Sequence, residues 1–181
     1  LDQGTKLAPH EWRRPTLQVT RLGDHMTNIR PFLWFNDQIE EAVEFYTSVF
    51  DDSVVLSTTR YPDSSPGPLG GMISATFRIG NQEFVGFNGG PNFKFSPAIS
   101  FFIDCETQEE IDYLWERMSE GGTEQQCGWL DDKFGLTWQI VPSVLGQYLS
   151  DPDPEKAARV AQAMMQMVKF DIAGLKAAYD G

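Results

Sequence analysis

Few side chains in this sequence could attack, chelate or shuttle a proton. The 181 residues hold two cysteines, Cys105 and Cys127, and two histidines, His10 and His25. A nucleophilic thiol needs a nearby base or a positive environment. Both histidines precede Met26, where periodic sequence begins, so neither thiol has a histidine partner within the periodic region. Cys127, beside Trp129, therefore reads as a structural or ligand-contacting thiol. Glu40, Glu41 and Glu44 read as the solvated face of a helix, and Glu109-Glu110 as a helix first turn, where acids complement the dipole. No strand runs into a glycine-rich GxGxxG turn that would hold a nucleotide-like cofactor. The formal net charge of −12 repels phosphates, which argues against a nucleic-acid partner.

These residues must be positioned by a small set of elements. Ile29–Phe35 is a nearly continuous apolar run and reads as a buried strand. Asn36 and Asp37 are suitable N-caps for a helix over 38–50, whose apolar residues Ile39, Ala42, Val43, Tyr46, Val49 and Phe50 form one stripe. Residues 53–59 read as a strand and Pro62–Gly71 as a loop. Two alternating strands, 72–79 and 82–88, flank a Gly80-Asn81 hairpin turn. The pattern then repeats. A strand over 98–104 leads to a helix over 107–118, closed by Gly121-Gly122. Short strands follow near 124–126 and 128–130, then a final strand over 136–141. The two units lie roughly 69 residues apart. They argue for an α+β fold of duplicated modules, 28–90 and 97–142, and against a doubly wound parallel sheet.

The ends of the chain read differently. Residues 1–25 have little periodicity and are expected to be an extension outside the core, or else an ordered arm on a partner subunit. Asp151-Pro152-Asp153-Pro154 caps a helix over 155–169, and Asp171 caps a last one to Tyr179, giving a helical segment over 151–180. Its methionine-rich face suits either the domain's own sheet or a subunit interface. No apolar run approaches the roughly 20 residues that cross a bilayer, and Leu1–His10 lacks a secretory apolar stretch. Two cysteines require no disulfide framework. The expectation is a cytoplasmic protein with no membrane partner.

Certain motifs carry a family resemblance. Phe45-Tyr46, the run Asn88-Gly89-Gly90-Pro91 with Phe93-Lys94-Phe95, the stretch Cys127–Pro142 (CGWLDDKFGLTWQIVP), and a tail with Asp151–Pro154, Met164, Met167 and Asp171-Ile172 occur in order. Together they resemble the PhnB-like branch of the vicinal oxygen chelate superfamily, the glyoxalase/bleomycin resistance/dioxygenase group. The resemblance covers about Asn28–Tyr179. It implies two βαβββ modules forming a cup-shaped mixed sheet, plus C-terminal helices. The branch is often labelled demethylubiquinone methyltransferase-like, a label the missing glycine-rich turn does not support.

The resemblance also implies where chemistry would sit. Enzymes of the superfamily hold a divalent metal in the cup with His and Glu from the first and last strands of each unit, and the metal acts as a Lewis acid. In this chain those positions fall at Arg30 or Pro31, Gly86, Ala98 and Gln139, none of them His, Asp or Glu. The expectation is no metal and no cofactor. Taking these positions as inward, alternation along strands places Arg30, Phe32, Trp34, Phe84, Asn88, Ser100, Phe102 and Gln139 in the cup, with Cys127 and Trp129 near its mouth. This set would line an apolar small-molecule pocket or simply fill a closed sheet interior. Arg30 would meet an anionic ligand or remain a surface residue, and Asp104 would face the cup or cap the next helix. The apolar opposite set, Leu33, Phe35, Ile99, Phe101, Ile103, Leu136, Trp138 and Ile140, would pack under the helices. The implied function is metal-free binding of a partly apolar or aromatic small molecule by a homodimer. The alternatives are an enzyme of the superfamily with its own substrate, or an interaction subunit using the methionine-rich helix.

Overall fold

A computed structural model describes residues 27–62 and 71–181. The expectations for residues 1–25, with His10 and His25, and for most of the loop after Pro62 lie outside those residues. The first module runs β1 (Phe32–Phe35), α1 (Ile39–Val49), β2 (Ser53–Arg60), β3 (Met72–Ile79) and β4 (Gln82–Asn88). The second runs β5 (Phe101–Cys105), α2 (Gln108–Ser119), β6 (Thr123–Glu124), β7 (Trp129–Asp131) and β8 (Thr137–Pro142). Each forms a four-stranded sheet, ordered β1-β4-β3-β2 and β5-β8-β7-β6. In each, the first strand runs parallel to the last and the other pairs are antiparallel. The fold is α+β, and the duplication legible in the sequence is a duplication of topology.

The core lies where both helices meet the sheets. α1 buries Ala42, Val43, Tyr46 and Val49 against Leu33, Phe35, Ala75 and Phe77, and α2 buries Ile111, Leu114, Trp115 and Met118 near Leu130 and Ile140. A chain of rings joins the modules: Phe77 stacks on Phe84 at 5.3 Å, Phe84 meets Phe101 at 5.1 Å, and Phe101 meets Trp138 at 5.3 Å. Tyr46 reaches across as well, 5.6 Å from Trp138. Aromatic rings bury large apolar areas and gain further from edge-on contact, so this seam binds the modules strongly.

Several element ends differ from the sequence reading. β5 begins at Phe101 rather than at Ala98, because Pro97–Ile99 forms a turn; Ile99 is accordingly exposed instead of packed under a helix. The short strands settle at 123–124 and 129–131. Neither Asn36 nor Asp37 caps α1. Its N-cap position is Gln38, without a side-chain bond, and the orphan Ile39 N–H donates instead to Asn88 Oδ1 at 2.9 Å. α2 is capped locally, by the reciprocal Thr107–Glu110 box, so Asp104 is not its cap.

The C-terminal segment folds back on its own chain. A short α3 (Val144–Leu149), whose N-cap residue Ser143 makes no side-chain cap bond, precedes α4 (Pro154–Met164) and α5 (Ile172–Asp180). α4 ends at Met164, not at Lys169, because the chain must turn there. The carbonyls of Met167 and Val168 accept the N–H groups of Cys127 and Gly128, both at 2.8 Å. Val160, Phe170 and Leu175 are buried. A side chain at Gly128 (φ 76°) would run into the Phe170 ring and the Ile140 carbonyl, so only glycine fits this joint. Among the described residues no helix is long and apolar enough to cross a membrane.

Candidate functional site

Each sheet has one face turned to the core and one left open. On the first sheet, parallel pairing sets Phe32 beside Val85 and Trp34 beside Phe87. These four side chains share the open face. Phe32 lies 5.9 Å and Trp34 5.2 Å from the Phe87 ring, and Phe93 meets Trp34 edge-on at 5.0 Å. Trp34 Nε1–H donates to the Gly90 carbonyl at 2.9 Å. The indole rests on Gly89, where a Cβ would approach it to 2.1 Å. The Asn88-Gly89-Gly90 run thus serves to seat this tryptophan. At the end of the face, Arg30 pairs with Glu83 at 3.5 Å and is exposed.

This register corrects the inward placement of Phe84, Gly86 and Asn88. Gly86 pairs with Leu33, whose side chain points to the core, so its whole alternating set turns away from the open face and towards the helix. A Cβ on Gly86 would lie 2.0 Å from Ile39 Cδ1. Phe84 is 4% exposed within the aromatic seam. Asn88 caps α1 and donates Nδ2–H to the Met72 carbonyl at 3.0 Å. The open face of β4 presents Glu83, Val85 and Phe87 instead.

On the second sheet the expected residues do gather. Phe102 and Trp129 both pair with Gln139, and Gln139 Nε2–H donates to Ser100 Oγ at 2.8 Å. Ser100, Phe102, Trp129 and Gln139 thereby form one patch, a neutral amide and hydroxyl flanked by two aromatic rings. Cys127 stands apart. Its backbone adopts φ 59°, and its thiol points to the end of α4, 3.6 Å from the Met164 carbonyl.

Among the described residues, neither of the two clefts of about 770 and 600 Å³ joins the two open faces. One cleft, about 770 Å³, runs between the modules past Phe50, Asp52, Gln82, Phe84 and Phe101, and touches the patch only at Phe102. A second, about 600 Å³, is walled by Trp34, Phe87 and Tyr61 with Asp37 and Glu40. Neither contains Ser100, Trp129 or Gln139. The residues at the superfamily's ligand positions do not fit a metal. Arg30 is a cation paired to Glu83, Gly86 has no side chain and faces α1, Ala98 lies in a turn, and Gln139 offers a neutral amide without charge; Glu83, the carboxylate on the open face of β4, is held by Arg30. Among the described residues no three His, Cys, Asp or Glu side chains come together as metal donors.

One polar cluster lay beyond the reach of sequence reasoning. Asp132 is 2% exposed. Its carboxylate accepts from Tyr46 Oη–H at 2.7 Å, Trp138 Nε1–H at 2.9 Å, and the N–H groups of Phe134 and Leu136 at 2.9 and 3.0 Å. Burial pushes its pKa above the ordinary carboxylate value, and the four donors oppose that shift. The Tyr46 hydroxyl is pushed well above its usual value, by burial first and then by the Asp132 charge. With every donor satisfied and no opening to solvent, the cluster is a joint between modules. The motif pair Phe45-Tyr46 and Leu130–Trp138 holds this signal, but only the fold reveals that Tyr46 meets Asp132.

Residues 27–141 match the model of a family described as 3-demethylubiquinone-9 3-methyltransferase. No curated protein matches the chain. Among solved structures, the chain is similar to the PhnB protein of Bacillus cereus, with 38% identity and a TM-score of 0.60 over 65% of this chain and 100% of that one. A Pseudomonas aeruginosa protein aligns at 20% identity and TM-score 0.54, over 65% of this chain and 98% of that one. The fosfomycin resistance protein FosX of Mesorhizobium loti aligns at 14% identity and TM-score 0.50, over 71% of this chain and 100% of its own. The last two likenesses concern the fold alone.

Proposed function

The chain belongs to the 3-demethylubiquinone-9 3-methyltransferase family, in the PhnB-like branch of the vicinal oxygen chelate superfamily, and from that premise we propose that it is a metal-free, cytoplasmic small-molecule-binding protein. The ligand is partly apolar or aromatic. It rests between the Trp34–Phe87 face of one protomer and the Phe102–Trp129–Gln139 patch of a second copy. The observation that supports this most is the composition of the open faces: rings around a neutral amide and hydroxyl, with no group of three metal donors among the described residues. Aromatic walls with a few placed polar groups suit small-molecule sites. The dimer is supported by exposure. Phe32 and Phe102 are 59% and 55% exposed, and among the described residues neither large cleft joins the two faces. Uncovered apolar surface of this kind marks an interaction site. Nucleic acid and membrane have no part in this reading.

The family's name favours a second reading, methyl transfer. A thermal-shift screen separates the two, using aromatic metabolites with S-adenosylmethionine as one arm, each with and without chelator. The proposal expects aromatic ligands to raise Tm equally with and without chelator. It also expects Trp34→Ala and Gln139→Ala each to abolish the rise. Stabilisation by S-adenosylmethionine alone supports methyl transfer, and stabilisation lost on chelation overturns the metal-free site.

A further inference from the structure

The second open face is built around a side-chain amide. Phe102, Gln139 and Trp129 are in-register neighbours on β5, β8 and β7, so the amide stands between two rings in one row across the sheet. Gln139 is half-buried there and is bonded to Ser100 Oγ at 2.8 Å. This bond orients the amide without using it up. A side-chain amide carries two N–H donors and a carbonyl acceptor, and a hydroxyl both donates and accepts. With one Nε2–H given to Ser100, a second N–H, the Oε1 acceptor and the Ser100 O–H are left for a ligand. Either sense of the bond leaves the pair both a donor and an acceptor.

The charges around this row narrow the ligand further. Asp104 pairs with Val141 and Asp131 with Thr137, so alternation sets one carboxylate at each end of the row on the same face. Asp131 is fixed there by Thr137 Oγ1–H at 2.6 Å and Gln125 Nε2–H at 2.9 Å. On the first open face, the charge of Arg30 is offset by Glu83. An anionic ligand would meet carboxylates at both ends of the row. A wholly apolar one would take water from the amide and hydroxyl without replacing its bonds. We propose that the site selects an uncharged aromatic carboxamide or lactam. The ligand's carbonyl accepts from the Gln139–Ser100 pair, its N–H donates back to that pair, and its ring lies along Phe102 and Trp129. Side-chain amides recognise such adjacent donor–acceptor edges in this two-bond way. The inference deepens the small-molecule reading above and rests on it.

Matched probes test it: 2-naphthamide, 2-naphthoate, methyl 2-naphthyl ketone and 2-naphthylmethylamine, each titrated into the full chain by calorimetry at neutral pH. The amide is expected to bind about tenfold or more tighter than the carboxylate, which the acids repel, and the ketone, which lacks the N–H. Gln139→Leu should bring the amide down to the ketone's affinity, and Ser100→Ala should narrow the gap between them. The comparison among probes uses the unaltered chain, so it holds whether or not a variant folds. Four outcomes overturn amide recognition: no binding by the amide, an amide no tighter than the ketone, a preference for the carboxylate or the amine, or an amide preference undiminished in both folded variants. Binding by any other probe would still leave the small-molecule reading standing. Silence from every probe and from the aromatic screen above would remove both.

Discussion

Asp132 shows how one side chain couples two modules. It accepts four hydrogen bonds from residues on both, and the Tyr46 hydroxyl is the one that crosses between them. Removing Tyr46 Oη leaves the carboxylate three donors; bonds to charged groups of this kind contribute roughly 1.5–3 kcal/mol. Tyr46→Phe is therefore expected to lower unfolding stability by that amount in urea titration. Asp132→Ala leaves buried donors unsatisfied and is expected to cost about 3 kcal/mol or more. The pH dependence distinguishes this acid from an ion-paired one. Its folded pKa lies above the unfolded value near 3.8 because burial dominates. The folded state thus takes up the proton first, and the penalty of burying the charge eases as pH falls through the folded pKa. The gap between wild type and Asp132→Ala should hold or widen on acidification from neutral pH towards that value. A gap that shrinks would mean a depressed pKa and a different role for Asp132.

At the scale of elements, α1 shows where sequence reading fails for a physical reason. Its apolar stripe is local and was legible; its cap is not local. Asn36 and Asp37 stand where a capping residue belongs, yet the cap comes from Asn88, 49 positions away. The same bond explains why Asn88 does not face the cup. A strand alternates with period two, so one misplaced residue reverses every assignment on it. On β4, an expectation that sets Gly86 in the cup carries Phe84 and Asn88 with it, and the register turns all three to the helix side. On β1, β5 and β8 the buried residues Leu33, Phe35, Trp138 and Ile140 mark the core face, and Phe32, Trp34, Phe102 and Gln139 lie on the other. Asn88→Ala removes the cap and the bond to the Met72 carbonyl. A stability loss of about 1–2 kcal/mol is expected in denaturant titration. Thermal shifts by any ligand of the open faces should be unchanged, whereas a lost ligand response would return Asn88 to the binding site.

At the scale of the molecule, the two βαβββ units were legible because duplication repeats helix stripes and turn glycines at one interval. The relation of the two sheets was not. No local pattern says that Tyr46 meets Asp132, that Phe84 meets Phe101, or that the C-terminal turn anchors on Cys127 and Gly128. What the chain offers is two open faces, one of aromatic residues ending in the Arg30–Glu83 pair and one of rings around a neutral amide and hydroxyl. Its formal charge of −12 fits a protein that avoids polyanions. Native mass spectrometry of the protein as isolated from its cells, before and after chelation, bears on this reading most directly. The prediction is a dimer carrying an organic small molecule that is retained after chelation. A stoichiometric divalent ion, whose removal releases the ligand, would contradict it.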